Sequence, residues 1–202
     1  MKRRGTTPIP WAVAGAISAM ALCWTFGNRF VAPEPANPKL WSFVVPNHSG
    51  TKGSAQESTS AQVQSGAMTL HHIGSRGSDI MRPANSAALG RVDITLREGT
   101  ERLQLVFRGE NGSDSVIFRF DHDAWAVTGR AGYTPHKSPG EWNLIYDNGT
   151  WYLDELGRRT ALGRASPGSF ELTTIDGDVD IESVRLTDLT GATIVDENYR
   201  TG

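Results

Sequence analysis

Residues 141–154 read EWNLIYDNGTWYLD, and this stretch decides the fold. Asn148-Gly149 stands between two alternating runs, and both residues accept the positive φ of a type I′ turn, so the stretch predicts a two-residue β-hairpin. Such a loop fixes the register, setting Asp147 opposite Thr150, Tyr146 opposite Trp151 and Leu144 opposite Leu153. Together with Trp142, one face becomes an apolar slab rich in aromatic rings, which predicts core. The other face carries Asn143, Ile145, Asp147, Thr150, Tyr152 and Asp154, a mixed surface suited to solvent or to the floor of a binding site.

Outward from the hairpin, short alternating runs recur at 40–45, 68–72, 92–96, 103–108, 116–120, 124–127, 170–175 and 179–186. Turn residues such as Gly109-Glu110-Asn111-Gly112 and Asp176-Gly177 separate them. None of this part shows a helical apolar period, so the pattern predicts an all-β, two-sheet antiparallel sandwich. In the last run the inward phase slips by one: Val179 and Ile181 are odd, Val184 and Leu186 even. A bulge at Glu182-Ser183 would keep both pairs on the core.

At the N-terminus, Lys2, Arg3 and Arg4 precede an uncharged apolar stretch. The expected division is a basic tip at 1–8, one transmembrane signal-anchor helix at 9–31 and a Pro-rich stalk at 32–39. The β-sandwich domain follows at 40–190, with a flexible Ser/Gly-rich loop at 47–66, and then a tail at 191–202. No A-x-A site follows the apolar run, and Leu22 stands where a lipoprotein site before Cys23 wants a small residue; a retained anchor is therefore expected over a cleaved signal. The basic tip places the N-terminus in the cytoplasm and the domain in the periplasm or outside the cell. Of 20 basic residues, four (Lys2, Arg3, Arg4, Arg29) lie at this end, which leaves 16 against 22 acids, a balance of −6. That balance argues against nucleic acid as a partner. The single Cys lies in the apolar stretch, so the domain forms no disulfide of its own and depends on its core.

The order of pieces resembles a known family. A Trp-containing opening strand, Val63-Gln64-Ser65-Gly66-Ala67-Met68-Thr69-Leu70, Leu105-Val106-Phe107-Arg108, Glu141-Trp142, Trp151-Tyr152-Leu153-Asp154, and the closing run from Gly177 through Asp178-Val179-Asp180-Ile181-Glu182 to Leu186 are together similar to the concanavalin A-like lectin/glucanase jelly roll. The laminin-G-like and 3-keto-disaccharide hydrolase-like versions are nearest. The resemblance covers about 40–190 and implies that one sheet binds glycans or other ligands.

Catalysis has little to stand on in the sequence. Asp178-Val179-Asp180-Ile181-Glu182 is similar to the glutamate-x-aspartate-x-glutamate strand of laminarinase-type glycosidases, but Asp178 replaces the nucleophilic glutamate. Residues four apart on a strand are also about 13 Å apart, at ~3.3 Å per residue, against the ~5 Å of a retaining pair. These acids are expected to form a solvated edge. There is no Gly-x-Ser-x-Gly elbow and no zinc or EF-hand spacing, so no cofactor is expected, although Asp121-His122-Asp123 and Asp176, Asp178 and Asp180 are oxygen ligands of the kind Ca²⁺ accepts. Rings stack on sugar faces while amides reach hydroxyls, which makes Tyr133, His136, Asn143 and Tyr152 the candidate ligand rim. The expected function is a membrane-anchored, non-catalytic binding module for a carbohydrate or an envelope protein. The alternatives are a glycan-active hydrolase of the keto-disaccharide type and a spacer domain of an envelope assembly.

Overall fold

The computed structural model describes residues 34–44, 61–72, 80–100, 102–108, 115–120, 124–127, 130–133, 140–165 and 167–201. Two compact units divide the chain at 1–32 and 33–202, and every described residue belongs to the second. The expected basic tip and transmembrane helix lie outside the described residues, among which no helix is long and apolar enough to cross a membrane.

Sixteen strands are found among the described residues: β1 (Glu34–Pro35), β2 (Trp41–Val44), β3 (Ala61–Gln64), β4 (Ala67–Leu70), β5 (Ile80–Pro83), β6 (Leu89–Leu96), β7 (Leu103–Arg108), β8 (Ser115–Phe120), β9 (Ala124–Val127), β10 (Arg130–Tyr133), β11 (Glu141–Asp147), β12 (Thr150–Glu155), β13 (Arg158–Arg164), β14 (Ser169–Thr174), β15 (Val179–Asp188) and β16 (Thr193–Asn198). They pair antiparallel in two sheets. The nine-stranded sheet runs β1-β3-β4-β15-β6-β11-β12-β13, with β16 also on β15; the seven-stranded sheet runs β10-β9-β8-β7-β14-β5-β2.

The hairpin forms in the register its sequence dictates. Tyr146 faces Trp151, Leu144 faces Leu153, and Asn148 and Gly149 take φ of 47° and 81°. Trp142, Leu144, Trp151 and Leu153 are buried. They meet the inner face of the other sheet through rings: Trp151 lies 3.9 Å from Phe107 and Trp142 4.5 Å from Phe120, centroid to centroid. Contacts at this range add to the stabilisation from burying the rings themselves.

The phase slip in β15 is also resolved by a bulge. Its register against β6 shifts between Ile181 and Ser183, which passes over Glu182, and Val179, Ile181, Val184 and Leu186 are all buried. The N-terminal half of β15 pairs with β4 and the C-terminal half with β16, so two short strands in turn cover one edge of a long one.

Three boundaries differ from the sequence expectation. Part of the stalk is built into the sheet: Glu34 and Pro35 pair with Val63 and Gln62, and Ala36 is buried and donates to the Ala61 carbonyl. Proline is tolerated there because β1 is an edge strand. Within the expected loop at 47–66, residues 61–64 form β3, since Ala61 is small enough to be fully buried beneath its neighbours. The expected tail holds β16 and a 3₁₀ turn, Tyr199–Thr201, with Val195 and Tyr199 buried. The Tyr199 phenol donates to Met68 Sδ at 3.4 Å, and burial, then Glu197, pushes its ionisation far above the usual tyrosine range.

The β12–β13 turn uses Leu156-Gly157 in the same conformation as Asn148-Gly149, with φ of 54° and 85°. A left-handed leucine crowds its own carbonyl at a cost of roughly 1–2 kcal/mol, and at 87% exposure it recovers nothing by burial. Leu156→Asn is therefore expected to raise stability by about 1 kcal/mol. Urea denaturation checks this; an unchanged or lower midpoint would remove the strain argument.

Candidate functional site

Alternation within the hairpin puts Asn143 and Tyr152 on the outer face of the nine-stranded sheet, as diagonal neighbours across the ladder. Asn143 then opens a transverse row. It stands opposite Asp93, Asp93 opposite Arg185, and Arg185 opposite Asp196. The next row runs Glu141, Thr95, Ser183, Asn198. Together they line a shallow groove of about 250 Å³. This lies just below the roughly 300–1,000 Å³ of enclosed small-molecule pockets, and the groove is open to solvent along its length.

Two of the four acids lining this groove, Asp93 and Asp196, are met by arginines, whereas Glu141 and Glu197 have no ion pair among the described residues; its hydroxyls are held by one another. Arg91 Nε donates to both Asp93 oxygens, at 2.9 and 2.7 Å, and the bond with Asp93 raises the guanidinium above its usual range. Arg185 Nε lies 3.8 Å from Asp196, and Ser183 Oγ donates to Thr95 Oγ1 at 2.9 Å.

The other candidate rim residues do not join this groove. Tyr133 ends β10 at the edge of the seven-stranded sheet, so the fold puts it in the opposite layer from Asn143 and Tyr152. His136 and the Asp121-His122-Asp123 run lie outside the described residues.

Asp178, Asp180 and Glu182, expected as a solvated edge, are each engaged. Asp178 accepts from the His72 N–H at 2.8 Å and meets His71 Nδ1 at 3.0 Å. Thr69 Oγ1 donates to Asp180 at 2.6 Å, Arg97 lies 3.5 Å from both Asp180 and Glu182, and Arg200 holds Glu182 at 2.6 Å. The cause is the pairing of β15 with β4, which brings Thr69, His71 and His72, together with its pairing with β6 and β16, whose ends bring Arg97 and Arg200. The two histidines do not act jointly: the His72 ring turns to Thr174 Oγ1 instead. Among the described residues no three His, Cys, Asp or Glu side chains are placed to hold a metal.

For Asp178, burial opposes ionisation, but the His72 N–H and then His71 outweigh it, holding the carboxyl below its ordinary 3.8. A depressed carboxyl contributes stability above its unfolded value and loses it as pH falls through the folded one. The thermal midpoint of Asp178→Asn is accordingly expected below wild type near neutrality, with the gap closing below pH 3.8. A gap that stays constant across this range would show that the ion pair contributes nothing.

The sequence reading missed a second polar constellation, on the outer face of the seven-stranded sheet. Glu171 on β14 points outward, yet is only 2% exposed. Arg82 on β5 donates to its Oε1 through Nε at 3.0 Å and also through Nη2, and Arg108 on β7 donates to Oε2 at 3.1 Å. Along the same face Arg119 donates to Gln104 at 3.3 Å. The polar positions 169, 171 and 173 of β14 were the one signal available.

No protein-family model and no curated protein matches this chain. Solved structures do. A β-glucanase of Bacillus licheniformis is similar with a TM-score of 0.51 and 12% identity, over 78% of this chain and 97% of that one. The catalytic domain of an endo-1,3-β-glucanase (laminarinase) from Thermotoga petrophila gives a TM-score of 0.48 and 13% identity over 79% and 95%. An alginate lyase from Corynebacterium sp. gives 0.45 and 16% over 77% and 98%. At these identities the likeness is one of fold: like the Bacillus licheniformis β-glucanase, the domain is a two-sheet antiparallel jelly-roll sandwich.

Proposed function

We propose that this protein is a non-catalytic glycan-binding module, held outside the cytoplasm by a membrane anchor at 9–31 with its N-terminus inside. The observation that carries the reading is the outer face of the nine-stranded sheet. There Asn143, Thr95, Ser183 and Asn198 present amides and hydroxyls in an open groove, with Tyr152 outside its lining as the diagonal neighbour of Asn143; of the acids in the groove, Asp93 and Asp196 are met by Arg91 and Arg185, and Glu141 and Glu197 stand beside them. Such a surface recognises sugar hydroxyls and stacks on a sugar face. A glycosidase needs two carboxylates flanking one bond; the acids of the closing strand, Asp178, Asp180 and Glu182, are each spent on a protein partner, which leaves Glu141 and Glu197 as the groove carboxylates whose substitution would test for catalysis. Glucanase and alginate lyase relatives in fold make a glycan the natural ligand class to test.

Titration calorimetry of the full chain with neutral β-glucan oligosaccharides tests this. Saturable binding is expected, weakened about tenfold by Asn143→Ala or Tyr152→Ala, roughly the loss of one good polar or stacking contact. Binding indifferent to both substitutions would remove the groove from the account.

A further inference from the structure

The seven-stranded sheet carries a different chemistry. On β5, β14, β7 and β8 the charged residues are Arg82, Glu171, Arg108 and Arg119, and all four point away from the core. That makes three guanidiniums against one carboxylate, in a domain whose balance is −6. The carboxylate is 2% exposed, while Arg82 and Arg108 keep 41% and 48% of their side chains in the open. Glu171 therefore acts as a buried post that holds two guanidiniums upright, with their remaining donors turned outward. Gln104 steadies Arg119 on the neighbouring row. The floor between them is Val106, 4% exposed, and Thr173, 8% exposed.

We propose that this face is a second binding site, for a carboxylated glycan such as a uronate chain. Guanidinium forks match carboxylates in geometry, and Arg82 and Arg108 already bind one here in the form of Glu171. Fixing the arginines beforehand reduces the ordering cost that flexible cations would bear on binding. Arg108 pairs opposite Ser115, and Arg119 lies four residues further along β8, about 13 Å at ~3.3 Å per residue. The ligand is thus a chain of several sugars with repeated carboxylates rather than a single acid. The assignment does not rest on the groove of the opposite sheet.

Calorimetric titration of the full chain in non-ionic detergent with polygalacturonate oligomers, at low and high salt, tests it. Tight binding at low salt is expected, weakened by salt, and reduced about tenfold by Arg119→Gln and likewise by Arg108→Gln. Arg119 stands apart from the Glu171 cluster, so its substitution reads binding without disturbing that pairing. Asn143→Ala is expected to leave uronate binding unchanged. Uronate binding indifferent to both arginine substitutions, no binding at low salt, or tighter binding of a sulfated oligomer of equal charge would each overturn the proposal. Failure to bind neutral oligosaccharides, with uronate binding intact and dependent on the arginines, would count against the groove alone.

Discussion

Trp151→Ala is expected to destabilise the domain by about 3–5 kcal/mol, the usual range for deleting a buried aromatic side chain. Trp151 is fully buried, stacks 3.9 Å from Phe107 in the facing sheet and lies 5.4 Å from Tyr146 on its own. Phe107 in turn contacts Phe118 at 5.4 Å and Phe170 at 5.2 Å, so the indole caps an aromatic cluster drawn from four strands. Its removal leaves a void that β strands tied into two ladders cannot close. Trp151→Phe should lose less, because it keeps a ring on Phe107 and deletes a buried indole N–H that has no acceptor among the described residues. Chemical denaturation of the three proteins checks the order; equal losses for alanine and phenylalanine would show that the ring contact is not what matters.

Replacing Arg82 and Arg108 together by methionine is expected to cost a further large amount, about 3–5 kcal/mol at neutral pH. The change leaves Glu171 almost fully buried without a cation, and an uncompensated carboxylate is far more costly than the loss of an exposed ion pair. Glu171→Gln is expected to cost less than the double substitution, because half-exposed arginines can turn to water. A double variant as stable as wild type at neutral pH would mean that Glu171 is hydrated and not a post for the two guanidiniums.

The residues explain what was legible beforehand. Asn148-Gly149 encodes a turn of fixed length, and a fixed length determines which side chains face the core; the register of β11 on β12 and the burial of Trp142 and Trp151 follow from local sequence alone. The bulge at Glu182 was readable because a change of apolar parity within one strand has few other solutions. By contrast, β16 reads as a tail, since this edge strand carries only two adjacent apolar residues, the half-buried Ile194 and the buried Val195, among four polar ones and so shows no alternation. Strand β13, Arg158–Arg164, was missed because its charged face is an edge, where cations discourage pairing with other chains. Asn143 and Tyr152 sharing a face follows from period two, whereas period two cannot say which layer a strand joins, and Tyr133 lies in the other sheet. The Glu171 cluster was out of reach because its members are 63 and 89 residues apart and meet only when β5, β14 and β7 assemble.

The most direct measurement is to incubate the full chain with a panel of neutral and uronate oligosaccharides, reading the bound fraction and any new chain ends in the same samples. Reversible binding with every oligosaccharide recovered at its original length is the predicted result. Shortened chains whose appearance stops on substitution of Asp180 or Glu182, or a panel with no bound member, would contradict it.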